Sequence, residues 1–367
     1  MKRKVVSLEE KKLILQLDKI LGNPNYRKEQ FFCPYIGLQS QFDSLTTFKK
    51  KMENLWWVKA LENKQARKLL SQLLQVPVVS IWPKGENRVK SIDIIKKLRI
   101  LFFQAVKNSS IINKKNNREL SMGELYDSKV TIDKEIKMPG YGSFQFGLLP
   151  NQVALLLGVS LNKLKTMKKL IIGIGGGDFV MYSLPGANNV LGVDVSQKMV
   201  DLTNHRNIPC VCGDVASSDL SFLPDKFLHP DLVVADYFLD IIKNPVTTIK
   251  KMAALLDAGG KLMIVNMIPI DQEGPGDLVI DSKISTAGIN QKNLNNKYFK
   301  ISPDQEIGNS HNPWEDILRL QLVCKNFNLV LKKFSVTTYA LFDSGRSARP
   351  LPAELRPSGI LVFEKVK

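Results

Sequence analysis

Apolar residues recur at helical spacing through the first third of the chain. From Leu8 to Leu21 they fall three and four apart with Lys between them, which predicts an amphipathic helix. Phe48 to Leu74 repeats the pattern through Met52, Leu55, Trp56, Val58, Leu61, Ala66, Leu69 and Leu73, and predicts one long helix stopped by Pro77. Ile92 to Val106 is a third helix candidate, and the polar run from Asn108 to Asn117 reads as a surface connection. Phe31-Phe32 and Trp56-Trp57 resemble base-stacking platforms, but aromatic residues among leucines at this spacing are assigned to a core. Residues 119–160 are less regular. There Met138 to Pro150 mixes glycines, aromatics and prolines, and a ligand lid and a plain link between domains both fit it.

From Lys169 the period changes. Short apolar runs bounded by Gly, Pro and Asp alternate with helical stretches, as in a parallel sheet flanked by helices. The expected strands are Leu170–Ile172, Val190–Val193, Ile208–Val211, Leu232–Ala235 and Leu262–Asn266, followed by two longer ones, Asn328–Leu341 and Ser358–Val366. The chain thus divides into a helical part (1–118), a linker or lid (119–164) and an α/β part (165–367).

Composition narrows the picture. With 44% apolar and 24% charged residues, the 367-residue chain reads as globular, and its length suits two domains. No apolar run approaches a membrane span, and the basic start lacks the apolar stretch of a secretory signal. Cys33, Cys210, Cys212 and Cys324 show no disulfide framework, so a reducing, cytoplasmic setting is expected. The net charge of +17 is uneven: residues 1–150 hold 28 Lys and Arg against 14 Asp and Glu, the remainder 24 against 21. Such a basic front can meet nucleic acid, an anionic surface or an acidic partner. No RNA-binding or helix-turn-helix signature accompanies it, so the charge is read as solubilising, and nucleic acid is not the favoured partner.

The chemistry centres on Leu170-Ile-Ile-Gly173-Ile-Gly175-Gly-Gly177-Asp178, an apolar strand running into G-x-G-x-G and then a helix. The dinucleotide fingerprint would need a glycine where Asp178 stands, and the GK[ST] of a phosphate-binding loop is absent. Seventeen residues after Gly177 a strand ends at Asp194, placed to accept ribose hydroxyls; 20 residues on comes Cys212-Gly-Asp214, and 22 beyond that Asp236 ends another strand. Leu255 to Val265 then gives a helix end, a Gly-Gly turn and a fifth strand. Each acid alone could be a helix cap or turn residue; in this order they mark the ligand edge of an open sheet.

This ordered set resembles the class I S-adenosylmethionine-dependent methyltransferases, over about residues 165–367. The resemblance implies a Rossmann-like α/β fold, a seven-stranded, mostly parallel sheet whose last two strands are antiparallel, behind a mainly helical amino-terminal domain. It further implies S-adenosylmethionine as cofactor, with Gly173, Gly175 and Gly177 along its methionine part, Asp194 on the ribose, Asp214 on the adenine and Asp236 near the reacting centre. Many members carry an acid two positions before the first glycine, where this chain has Ile171. The implied reaction moves a methyl group to O or N of a small-molecule acceptor, the front domain covering the acceptor or making a homodimer. Asp240, Tyr237 and His311 are the candidate bases, although a histidine often stands near the place of Asp240 in similar O-methyltransferases. His205 and His229 are read as structural or exposed, and no metal site is expected at Cys210-x-Cys212. Two alternatives remain: an aminopropyltransferase of the spermidine synthase kind, and an RNA-binding or RNA-modifying protein.

Overall fold

The structure is a computed structural model that describes residues 7–21, 31–32, 56–82, 143–146, 148–184, 186, 189–216, 219–239, 242, 245–267, 313–341 and 354–367. Helix α1 spans Leu8–Leu21 and buries Ile14, Leu17 and Leu21, as its periodicity predicts. The long helix expected over Phe48–Leu74 is instead broken: α2 is Trp56–Glu62 and α3 is Lys64–Leu74, residues 48–55 lying outside the described residues. The cause is Asn63. Its backbone is extended and its side-chain oxygen accepts from the N–H groups of Gln65 and Ala66, so it caps a new helix rather than continuing the old one. The helix expected at Ile92–Val106 lies outside the described residues.

Nine strands are described: β1 (Phe31–Phe32), β2 (Ser143–Phe146), β3 (Lys169–Ile172), β4 (Val190–Asp194), β5 (Cys210–Cys212), β6 (Leu232–Asp236), β7 (Lys261–Met267), β8 (Leu329–Leu341) and β9 (Glu354–Lys365). The further helices are α4 (Pro150–Leu157), α5 (Leu161–Thr166), α6 (Asp178–Ser183), α7 (Gln197–His205), α8 (Pro245–Ala254) and α9 (Pro313–Lys325). The sheet order is β2-β8-β9-β7-β6-β3-β4-β5, with β1 paired to the start of β9. Within it, β5-β4-β3-β6-β7-β9-β8 is the seven-stranded sheet: five parallel strands closed by an antiparallel final pair. The third strand starts at Cys210, two residues later than the apolar run suggests, because Asn207 turns through the left-handed region and Ile208 packs beneath Gly177.

Both faces of the sheet are covered. One carries α1–α3, α8 and α9 over residues such as Leu170, Val193, Val233 and Ile264; Trp57, Leu61, Leu70 and Trp314 are buried there. The other carries α4–α7 over Ile171, Val234, Val265 and Val362. A bulge between Leu331 and Lys333 shifts the register of β8, so Leu331 and Phe334 both face the first layer. Segment 77–79 lies along the outer side of β8, where Val79 N–H donates to the Phe334 carbonyl and Phe334 N–H to that of Pro77. Farther along, β2 pairs with residues 338–341 of the same strand. Of residues 119–164, expected to link or cover, the described part holds the edge strand β2, helix α4 and the start of α5; residues 119–142 lie outside the described residues.

Candidate active site

The chain leaves β3 with one neighbour on each side, β4 and β6, and builds β4 and β5 to one side before crossing to β6 and β7 on the other. This reversal opens a crevice at the carboxyl ends of the strands, the usual ligand edge of an open α/β sheet. Along that edge stand, in order, Asp214 after β5, Asp194 ending β4, the glycine loop after β3, and Asp236 ending β6. The six residues assigned to the cofactor by resemblance thus lie on neighbouring tips of one sheet.

The loop is fixed by its neighbours. Gly173 donates to the Val193 carbonyl at 3.0 Å, and Gly175 donates to Asp194 Oδ2 at 2.9 Å. The other oxygen of Asp194 accepts the Ser196 N–H at 3.0 Å. Thr203 Oγ1 donates to the Gly175 carbonyl at 2.7 Å, and the Arg206 guanidinium donates to the Gly176 carbonyl while pairing with Asp178 at 3.3 Å. The three glycines have different work. A side chain on Gly173 would meet Phe238 Cβ at 2.8 Å, and one on Gly177 would meet Ile208 Cδ1 at 2.9 Å, so both are needed for packing. Gly175, in the left-handed region at φ +54, has open space within 4 Å of where a Cβ would stand. It is the loop position a ligand can approach.

Asp178 opens α6 directly behind the loop, and burial pushes its carboxyl up to about 6 although Arg206 pulls the other way. Tyr182, one turn on, is pushed up to about 12 by burial and by Asp178. Asp214 Oδ1 accepts the Ala216 N–H at 2.8 Å, which turns the chain after β5, and Lys251 braces that turn by donating to the Ala216 carbonyl at 3.1 Å. Two apolar neighbours escaped the sequence reading. Val195, directly after Asp194, is 37% exposed at the tip of β4. Phe222 lies so close over Gly213 that a Cβ there would meet its ring at 2.5 Å. The exposed valine beside a strand-tip acid is a signal the sequence does carry; the reach of Phe222 back from nine residues downstream is not.

Of the candidate bases, Tyr237 is described. Its backbone takes the left-handed region at φ +50, its N–H donates to the Val265 carbonyl at 2.9 Å, and its hydroxyl donates to Ser358 Oγ on β9. Ser358 is fully buried, so the phenol is anchored into the sheet. Asp240 and His311 lie outside the described residues. His205 is in the last turn of α7, and exposed His229 pairs with Asp257 at 3.1 Å. Cys210, Cys212 and Cys324 are free thiols, burial pushing Cys210 and Cys324 well up. Among the described residues no group of acids, histidines and cysteines could hold a metal ion, and no helix is long and apolar enough to cross a membrane.

Residues 170–264 match the family model described as a methyltransferase domain, which spans β3 to β7 and every acid of the ligand edge. No curated protein matches the chain. Among solved structures, the trans-methyltransferase CalH in complex with SAH shares 13% identity at a TM-score of 0.41, covering 98% of this chain and 92% of that one. A chain from the complex between the Haloferax volcanii Trm112 methyltransferase activator and a proposed methyltransferase gives 13% and 0.41, over 67% of this chain and 98% of the other. A SAM-dependent methyltransferase from Aquifex aeolicus gives 14% and 0.32, over 59% and 89%. At such scores and identities none of them bears on this chain's acceptor.

Proposed function

We propose that the protein transfers a methyl group from S-adenosylmethionine to an oxygen or nitrogen of a small-molecule acceptor. The observation that carries this reading is the pairing of Gly175 with Asp194: an open loop position whose N–H is held by a strand-tip carboxylate. The residues fit the group. S-adenosylmethionine carries a sulfonium and an ammonium but no phosphate, and the edge offers acids rather than a lysine-bearing phosphate loop. A carboxylate accepts about four hydrogen bonds, so the group that fixes the loop can serve ribose hydroxyls as well. In this reading Gly173, Gly175 and Gly177 shape the path of the methionine part, and Asp214 takes the adenine amine. Val195 and Phe222 offer apolar surface to the ring between them, and Asp236 faces the positively charged end.

The bound cofactor supplies a methyl carbon made electrophilic by its sulfonium. The protein's share is to hold the acceptor in line with it, and positioning alone can supply much of the acceleration. Where the acceptor is a hydroxyl, a base takes its proton; Asp240 is the proposed group, with His311 the alternative. Tyr237 is better suited to hold the tip of β6 against β9, since its hydroxyl donates to Ser358.

Calorimetry with S-adenosylhomocysteine tests the assignment. Binding is expected, and Asp194→Ala should weaken it by about 1.5–3 kcal/mol, the worth of hydrogen bonds to a charged group. Absence of both heat and thermal shift with the wild-type protein would sink it. For the base, Asp240→Asn should lower turnover by roughly 10²–10⁴-fold with cofactor affinity unchanged; full activity would remove Asp240 from the mechanism.

A further inference from the structure

The glycine loop is gripped from behind by two side chains that take no part in the cofactor contacts assigned so far. Gly175 is held at both of its polar groups. Its N–H donates to Asp194 at the tip of β4, and its carbonyl accepts the Thr203 hydroxyl from α7 at 2.7 Å. The next carbonyl, that of Gly176, accepts from the guanidinium of Arg206, the residue that follows α7, and the same guanidinium pairs with Asp178 at 3.3 Å. Strand β4, helix α7 and Arg206 are consecutive in the chain, so a single unit fixes two successive carbonyls of the loop. Thr203 is fully buried and the Arg206 side chain is 9% exposed, which keeps competing water from both bonds.

The helix itself does not need these bonds. A threonine within a helix commonly turns its hydroxyl back to a carbonyl three or four residues earlier. A hydroxyl has one proton to give, and Thr203 gives it to a different element, 28 residues away in the chain. Its methyl group does the packing: Cγ2 lies 3.3 Å from where a Cβ on Gly177 would stand. Valine would supply that contact equally well, so the hydroxyl serves the loop and not the core. The bond also orients the peptide group it holds. In a trans peptide the carbonyl and the N–H point in opposite directions. With the Gly175 carbonyl turned to Thr203, the Gly176 N–H is turned away from it, and Gly175 keeps open space where a Cβ would stand. Glycine has more conformational freedom to lose than any other residue. A glycine loop that must order itself around a ligand therefore binds more weakly than one already held in shape.

We propose that Thr203 and Arg206 are positioning residues of the cofactor site: by drawing the Gly175 and Gly176 carbonyls toward α7, they keep the loop in the shape that S-adenosylmethionine meets, without touching the cofactor. This deepens the methyl-transfer reading and rests on it. The hold acts on the loop and not on the transferred methyl group, so it is read in cofactor affinity.

The test is calorimetric titration of full-chain variants with S-adenosylhomocysteine near neutral pH, with the thermal midpoint of each recorded beside it. Thr203→Val keeps the shape and loses the hydroxyl; Thr203→Ser keeps the hydroxyl and loses the methyl. The valine variant should bind S-adenosylhomocysteine roughly fivefold more weakly than the wild-type protein, the worth of one hydrogen bond. The serine variant should bind with wild-type affinity, even where loss of the buried methyl lowers its thermal midpoint. A threonine that only packs would give the reverse order. That order overturns the proposal, as does wild-type affinity in the valine variant. Should the valine variant fail to fold, Arg206→Met in an Asp178→Asn background is compared with Asp178→Asn alone. The ion pair is absent from both, so weaker binding by the double variant reports the bond to Gly176, and equal binding overturns the proposal. Failure of S-adenosylhomocysteine to bind the wild-type protein is a different result: it removes the methyl-transfer reading, and this inference with it.

Discussion

Asp178 shows how a side chain beside the glycine loop can weaken the fold that carries it. Its carboxyl is pushed up to about 6, burial outweighing the pull of Arg206. The unfolded chain releases the same proton near pH ~3.9. Between about pH 4 and pH 6 the folded protein therefore holds a proton that the unfolded chain has lost, and stability falls as pH rises through that window. Over the whole window the loss is on the order of 3 kcal/mol. Asp178→Asn removes this dependence. The difference in unfolding free energy between variant and wild type should move in the variant's favour from about pH 4 to about pH 7, read from urea titrations at both. A difference that stays constant would show that the carboxyl ionises in the folded protein as it does in the open chain. Arg206 limits the cost by pairing with Asp178 and the Gly176 carbonyl together, which ties the end of α7 to the loop.

Elements were legible in the sequence where a single period and a boundary residue agreed. Helix α1 and the strands β3, β4, β6 and β7 follow their apolar runs to within a residue or two, since burial on both faces of a parallel sheet leaves a continuous apolar signature. Asp194 and Asp236 were legible for the same reason, since each ends such a run, and Asp214 follows one closely. What local pattern could not show was pairing over distance. Phe31-Phe32 and Ser143–Phe146 are too short to announce a strand, and they are strands because the hairpin of β8 and β9 offers them partners. The broken helix turned on one side chain. Asn63 sits among good helix formers, and periodicity runs through it undisturbed; its two hydrogen bonds to the backbone decide the break. Asn63→Ala should cost about 1 kcal/mol through loss of that cap. A lowered urea midpoint with an unchanged slope would bear this out, whereas an unchanged midpoint would mean that packing of α3 alone fixes its start.

For the molecule as a whole, one core joins the first helices to the last strands. Leu17, Leu21, Trp57, Leu61, Leu70 and Leu74 belong to the same buried cluster as Phe334, Val336, Leu361 and Phe363. Gln321 on α9 donates to the Leu74 carbonyl at 3.2 Å, closing the seam with a polar contact. A shared core of this kind unfolds as a unit, so calorimetry should show a single transition whose calorimetric and van't Hoff enthalpies agree. Two resolved transitions would mean that the helices and the sheet are separate cooperative units. The strips laid along the final hairpin also govern how the chain comes to be folded. Phe31 waits for Leu355, and Val78 for Phe334, contacts that close most of the length of the polypeptide. Pairings so distant in sequence are slow to form. During synthesis, the amino-terminal helices leave the ribosome with their apolar faces uncovered until the closing strands emerge. The Lys-rich front, with twice as many basic as acidic residues over positions 1–150, is well suited to keep such an unfinished chain apart from its neighbours while it waits.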